Sequence, residues 1–573
     1  MSELPWAFQQ IEPTTWAYVS SLLMLALFFK FSRLWSMRNL DLTLLVLLAP
    51  GLLLYNSGVS LERRAAAELA GLGHPISLSL TSGGLLENQS PAPNRLPGDK
   101  LMAPTGPFDP AKSEQPASSA ASNERADDST QTQKVPPTEP TSVDAPPTSK
   151  ELDSSTPDDA NQPQVRVTDP ATEPGLSPDG PGLVSDDPNQ DAKKLWLARR
   201  TLSHSFLYAG FLFMLVVGLL FVVRLFLDQL LVRRPALETN LSLGGLWLLV
   251  VSLLSFLVAN IMVSSPTRTD VSGAQSAAEL LEVGKSSTPM AEQEMGPAYP
   301  LLHLLPVIPT MLRDANSRLG MNAVELQVQR NASMIWVAKL MAILSQFAIV
   351  AGLVWMGGMH FSSWQNGAGM ATIYLMLPYT VQMSGAVDHV LPGALLLWAV
   401  VLYRHPFWAG LLFGLTMGLV YYPIFLLALW LSFYWERGVM KYLAGVGVTV
   451  LLMIVSLLLF STEDRTFVQN LQGMFGVWLP RVSGLKGIWE FGWDPWFRLP
   501  ILVAFVSLGT SMVAWPIRKT FGTLMAYNAA LLVAVQFWHG YGGGLFMAWY
   551  LPLTIATFFR PAVHERIARH MVS

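Results

Sequence analysis

Long apolar runs recur along the chain, near residues 15–31, 41–57, 204–228, 241–263, 333–357, 368–384, 389–403, 406–420, 422–435, 442–461, 498–516, 521–538 and 543–559. A helix that crosses a bilayer needs roughly 20 mainly apolar residues. The pattern therefore predicts an all-α, polytopic integral membrane protein of about 11–13 transmembrane helices. Several runs are short. The stretch from Pro406 to Trp435 reads either as one long helix or as two hinged at Tyr421-Tyr422-Pro423. The first two runs form an N-terminal hairpin over residues 1–60, and the remainder make a polytopic domain over 204–573.

The polar interruptions differ in kind. Residues 88–195 form a linker with 19 prolines and one aromatic, Phe108, between Pro91 and Gln190. Such a composition cannot bury enough apolar area to offset the entropy of ordering, so the linker is expected to be disordered. It reads either as a spacer or as an arm that meets cell-envelope material. The segment 264–331 carries apolar periodicity, as in Ala298-Tyr-Pro-Leu-Leu-His-Leu-Leu-Pro306, and is expected to be structured. The segment 462–497 carries Trp478, Trp489, Trp493 and Trp496 among Arg481, Lys486 and, just beyond, Arg498. Tryptophans in that setting read as an interfacial belt or as a platform for sugar stacking.

Composition sharpens this picture. The chain is 51% hydrophobic and 13% charged, against about 25% charged in soluble proteins. Its net charge of -3 conceals an acidic linker of -10 joined to a membrane body of +7. No nucleic-acid partner is expected. The chain has no cysteine, which excludes disulfides, thiolate metal sites and a cysteine nucleophile. Glu3 and Glu12, with no Lys or Arg before the first apolar run, do not read as a cleavable signal peptide.

Basic clusters mark the cytoplasmic side of membrane helices. They occur at Lys30, Arg33 and Arg38, at Arg233 and Arg234, at Arg404, at Arg437 and Lys441, at Arg518 and Lys519, and at Arg560, Arg566 and Arg569. That alternation predicts thirteen spans in a bacterial inner (plasma) membrane, with the N-terminus out and the C-terminus cytoplasmic. Lys193, Lys194, Arg199 and Arg200 oppose it, but they close a long loop, where the rule is weak. Linker and both structured loops then lie outside.

The polar residues that could carry chemistry gather on that same outer side. They are Asp270, Glu279, Glu282, Glu292, Glu294 and His303 in the first structured loop, Asp388 and His389 at a helix start, Tyr421 and Tyr422, then Arg481 and Lys486, and His539 in Trp-His-Gly-Tyr-Gly-Gly-Gly. Asp388 is the single carboxylate between Ala371 and Tyr403. Ionisable groups near membrane depth are costly and frequently functional, although each of these also fits a solvated turn. Phosphate-loop, zinc-helix and serine-elbow signatures are missing.

Residues 298–435 resemble the C-type membrane glycosyltransferase superfamily, above all its mannosyltransferase-like branches. The likeness rests on Tyr299-Pro300-Leu-Leu-His, on a helix ending near Leu377-Pro378, on Asp388 ahead of the apolar stretch Val390 to Tyr403, and on Pro406-x-x-Ala409-Gly410-x-x-x-Gly414-Leu415. It implies a C-type glycosyltransferase core that takes sugar from a polyprenyl-phosphate donor in the membrane lipid at the outer face. Asp270 would act as general base. Asp388 and His389 would orient acceptor or donor phosphate, a divalent metal being one means of doing so. Tyr421, Tyr422, Arg481, Lys486 and His539 would line the substrate site. The chain departs from the family where Tyr421-Tyr422-Pro423 stands in place of a lysine, and where Asp270 stands without the usual acidic neighbour.

Two other function classes compete. A transporter, or a polysaccharide export or polymerisation protein, would place charges at mid-membrane; Arg224 and Lys339 are the mid-run basic residues. A non-enzymatic envelope scaffold would make the linker its working part.

Overall fold

The computed structural model describes residues 12–71, 188–230, 237–283, 295–317, 322–460, 485–540 and 542–561. Most of the proline-rich segment expected between 88 and 195 lies outside the described residues, except that helix begins already at Pro188. The regular structure described is helical: α1 (Pro13–Phe28), α2 (Met37–Val46), α3 (Leu48–Gly71), α4 (Pro188–Leu227), α5 (Leu243–Val263), α6 (Arg268–Val283), α7 (Ala298–Ser317), α8 (Ala323–Trp355), α9 (Trp364–Met376), α10 (Pro378–Gln382), α11 (Val387–Val401), α12 (Pro406–Leu419), α13 (Leu427–Tyr434), α14 (Val439–Phe460), α15 (Arg498–Ala514), α16 (Phe521–Trp538) and α17 (Leu551–Phe559).

Seven described helical stretches are long and apolar enough to cross a membrane, and the protein is an integral membrane protein. They are Met37–Ala66, Lys194–Leu230, Leu243–Val263, Val324–His360, Val439–Leu458, Pro495–Ala514 and Phe521–Trp538. The remaining apolar runs of the sequence coincide with shorter helices. Among these, α9, α10, α11, α12 and α17 are largely buried by protein. A helix covered by its neighbours need not match the bilayer thickness, provided its freed backbone groups find partners. The break between α9 and α11 shows how this is met. Asn260 Nδ2 donates to Val381 O and Ser384 Oγ at 3.1 and 3.0 Å, and Gln346, which accepts from Tyr374 OH at 2.9 Å, reaches Ser384 O. Lys339, one of the two mid-run basic residues, donates to Met262 O at 2.6 Å and so closes the C-terminus of α5.

Small residues set the helix packing, as expected where the surrounding lipid is as apolar as the side chains. The antiparallel pair α3 and α4 meets at Gly51, Gly58 and Gly210; a methyl on Gly210 would stand 2.7 Å from the Tyr55 amide. A Cβ on Gly410 would meet Tyr442 O of α14, and one on Gly414 would meet Thr449 Oγ1. The Gly-x-x-x-Gly pattern of α12 is thereby explained by close approach to α14.

Charge is buried at one end of the bundle. Arg224 of α4 forks onto Asp41 of α2 at 2.6 and 2.8 Å and reaches Asp228 at 3.1 Å. Arg560, at the end of α17, lies 3.6 Å from Asp228. Gly522 leaves the room that the Arg560 guanidinium occupies. All four side chains are buried, and their charges cancel. The cluster joins the N-terminal hairpin to both α4 and the C-terminal helix.

Removing one partner of a buried ion pair strands the other. Arg224→Ala is expected to destabilise the detergent-purified protein by about 3–5 kcal/mol. Arg224→Met combined with Asp41→Leu should recover part of the loss, read as the midpoint of thermal unfolding; equal stability of wild type and Arg224→Ala would refute the role.

Candidate functional site

At the opposite end of α16, the sequence places no capping side chain where α11 begins. Ala386 occupies the N-cap position, where Ser, Thr, Asp or Asn would normally accept an orphan amide. Asp270 supplies the acceptor from 117 residues away: its Oδ1 accepts from Val387 N at 2.7 Å. Its other oxygen closes a capping box on its own helix, accepting from Thr267 N at 2.9 Å and Thr267 Oγ1 at 2.6 Å, while Asp270 N donates back to Thr267 Oγ1 at 3.3 Å. One carboxylate thus caps two helices. It is 1% exposed.

Further contacts seat the loop helices. Gly296 N donates to Leu419 O at 2.8 Å, fixing the entry of α7 onto the end of α12. Tyr299 donates from its hydroxyl to Thr269 O at 3.3 Å, and its ring and that of His303 pack on Gly273, where a methyl would collide with both. His303 is fully buried, with Nδ1 2.7 Å from Tyr299 O. Burial pushes its imidazole down to about 4, so it is neutral at physiological pH.

The residue after Val387 is Asp388. The structure therefore brings Asp270 and Asp388 together at the first turn of α11, where helix amides favour negative charge. Burial first, and then the charge of Asp388, push the Asp270 carboxyl up to about 7. Asp388 keeps a side chain that is 16% exposed, with Oδ2 3.9 Å from His389 Nε2. His389 Nδ1 lies 2.8 Å from the Tyr379 hydroxyl. The ring's other nitrogen, Nε2, is the one that faces Asp388.

Aromatic rings complete the surroundings. His389 stacks on Phe546 at 4.4 Å, Phe546 on Trp549 at 4.6 Å, and His539 sits 4.8 Å from Phe546 and 4.5 Å from Tyr422. Tyr421 and Tyr422 lie ring to ring at 4.0 Å. Tyr422, His539, Phe546 and Trp549 are buried, whereas Tyr421 is half-buried. Lys486 joins through its backbone, donating to Gly540 O at 2.8 Å beside His539. Arg498 donates to Trp538 O at 3.0 Å. Arg481 lies outside the described residues.

Asp270, Asp388, His389, Tyr421, Tyr422 and His539 thus come to one region, from elements far apart in sequence. Tyr379, Phe546 and Trp549 escape a sequence reading because aromatics in apolar stretches look like ordinary core. The usable signal is Tyr379 ten residues before His389, across the turn between α10 and α11. Among the described residues no three His, Cys, Asp or Glu side chains lie together to hold a metal ion. Both Asp270 oxygens are bound by protein donors, so Asp270 offers no open oxygen of the kind divalent cations prefer. Two cavities, of about 700 and 330 Å³, lie away from this cluster. Comparison with family models, curated proteins and solved structures gave no match.

Asp270→Ala would leave two amides unmet and is expected to cost about 2–4 kcal/mol. Asp270→Asn should cost nearly as much, because its NH2 must face a donor on one side. The folded pKa of Asp270 is raised, so its share of stability is complete below about pH 4 and is lost as pH rises through about 7. Thermal unfolding in detergent checks both points: the wild-type midpoint should fall over that pH range, and the Asp270→Asn midpoint should be flatter.

Proposed function

We propose that this chain is a membrane glycosyltransferase of C-type architecture, using a polyprenyl-phosphate-linked sugar at the outer face of a bacterial inner membrane. Its topology in this reading is about 11–13 spans with the N-terminus out and the C-terminus cytoplasmic. The observation that carries the reading is the gathering of Asp388, His389, Tyr422 and His539 beneath the docked helices α6 and α7. This cluster lies at the end of α16 remote from the Arg224–Asp41 pair.

Sequence reasoning puts the general base at Asp270. Its burial and three donors suit a positioning residue instead, and the base falls to Asp388, the more exposed of the two. Asp388 takes the proton from the acceptor hydroxyl as that oxygen bonds to the anomeric carbon. The bond from that carbon to the phosphate oxygen breaks, and the polyprenyl phosphate leaves with the electron pair. His389, held by Tyr379, faces Asp388 and supports the proton it has taken. Lys486 and Arg481 are placed by sequence to offset the charge of the leaving phosphate, and Tyr421 offers a ring face to the sugar.

Transport is the second reading, with the buried charges shared by α2 and α4 as its candidate residues, although they stand at one end of the bundle. Their mutual neutralisation suits a clamp equally well, and solute flux in proteoliposomes separates the two.

The direct test is sugar release from radiolabelled polyprenyl-phosphate hexoses by purified wild type and Asp388→Asn. Asp388→Asn is expected to lower transfer by about 10²–10⁴-fold, with an unchanged unfolding midpoint. Tyr379→Phe should shift the pH profile of transfer rather than abolish it. A folded Asp388→Asn variant with wild-type transfer, or a wild type inert toward every such donor, would contradict the proposal.

A further inference from the structure

The turn between α1 and α2 has no part in the site above, and its construction calls for an explanation. Eight residues, Phe29 to Ser36, cross from one helix to the next. Their exposed side chains include Phe31, Leu34 and Trp35, the last of them 100% exposed. Between these apolar groups stand Lys30 and Arg33, both exposed.

The turn is held rigidly. Asn39, fully buried, accepts from Lys30 N at 3.0 Å and donates to Lys30 O, Arg33 O and Leu34 O at 3.0, 2.9 and 3.3 Å. Ser36 caps α2 by accepting from Asn39 N. Arg38 forks onto Phe28 O at 3.2 and 2.8 Å and onto Glu238 O at 2.7 Å. A recess of about 700 Å³ opens on this frame, lined by Lys30, Arg33, Leu34, Trp35, Arg38 and Glu238 among others.

We propose that this recess is a binding site for the phosphate headgroup of an anionic phospholipid. Three cations face one carboxylate, Glu238, so the recess favours an anion. Lys30 and Arg33 have no ion-pair partner among the described residues, and a guanidinium presents the paired donors that phosphate oxygens accept. The apolar rim selects the source of that phosphate. Trp35, Phe31 and Leu34 would be poorly placed in water but suit the bilayer interface, so a phosphate carried on acyl chains gains contacts that a free one does not. Because Asn39 and Arg38 preorganise the turn, little ordering entropy is lost on binding.

The test uses the full chain in mild detergent, with bound phospholipid counted by native mass spectrometry. The probes are phosphatidylglycerol, phosphatidylcholine and inorganic phosphate. Wild type is expected to retain phosphatidylglycerol in preference to phosphatidylcholine, undisturbed by millimolar phosphate. Lys30→Gln with Arg33→Gln should weaken phosphatidylglycerol binding on the order of 30-fold, taking about 1 kcal/mol for each basic group. Trp35→Ala should weaken the lipid as well. If the double variant fails to fold, Arg33→Lys, which keeps charge but loses the fork, is read in its place and should also bind more weakly. Unchanged lipid selectivity in the folded variants would overturn the proposal. Displacement of the lipid by inorganic phosphate, with Trp35→Ala behaving as wild type, would overturn it in favour of a free-phosphate site.

Discussion

The candidate site depends on a single buried carboxylate. Asp270 closes the capping box of α6 and, with its other oxygen, caps the first amide of α11. Without that bond the Val387 amide at the start of α11 would be an orphan donor. Because Asp388 and His389 are the next two residues, the same bond fixes where they stand. Tyr379 of α10 then orients His389 from across the turn between α10 and α11. Asp270 is costly to ionise there, since burial and Asp388 both oppose its charge. The helix amides that it accepts from are the compensation.

A second constraint operates at the other end of the bundle. Arg224, Asp41, Asp228 and Arg560 cancel one another where the first hairpin, α4 and the last helix meet. Helix α16 runs between the two polar clusters and is buried along nearly its whole length. Thr523 near its start donates to Gln229 beside the ion cluster, and Trp538 at its end packs on Tyr422 at 5.3 Å. A membrane protein cannot rely on expulsion of water to hold its helices together. Here glycine contacts along the helices and polar clusters at their ends take that part.

Much of this could be read from the order of residues. Each apolar run of the sequence corresponds to helix, because hydropathy reports what must avoid water whether lipid or protein covers it. Length was less legible. The runs at 368–384 and 543–559 look like spans, yet they fold as α9 with α10 and as the nine-residue α17, since burial among neighbours removes the need to match a bilayer. The linker was expected to reach 195, but a helix starts at Pro188, a favourable first helical residue. Arg224 stood out in the sequence while Asp41 did not, because a carboxylate at the edge of an apolar run resembles a helix end. The proximity of Asp270 and Asp388 was anticipated from their shared side of the chain. The capping role of Asp270 was not, because a cap supplied by another element leaves no local pattern.

The candidate site therefore depends on Asp270 holding the start of α11. Hydrogen exchange of the purified protein, followed on peptides covering Val387 to His389, measures this directly. The expected result is slow exchange of the Val387 amide in wild type and exchange faster by tenfold or more in Asp270→Ala, taking about 1.4 kcal/mol or more for the lost bond, while α16 stays protected in both. Equal protection of Val387 in wild type and Asp270→Ala would show that the carboxylate does not build the site.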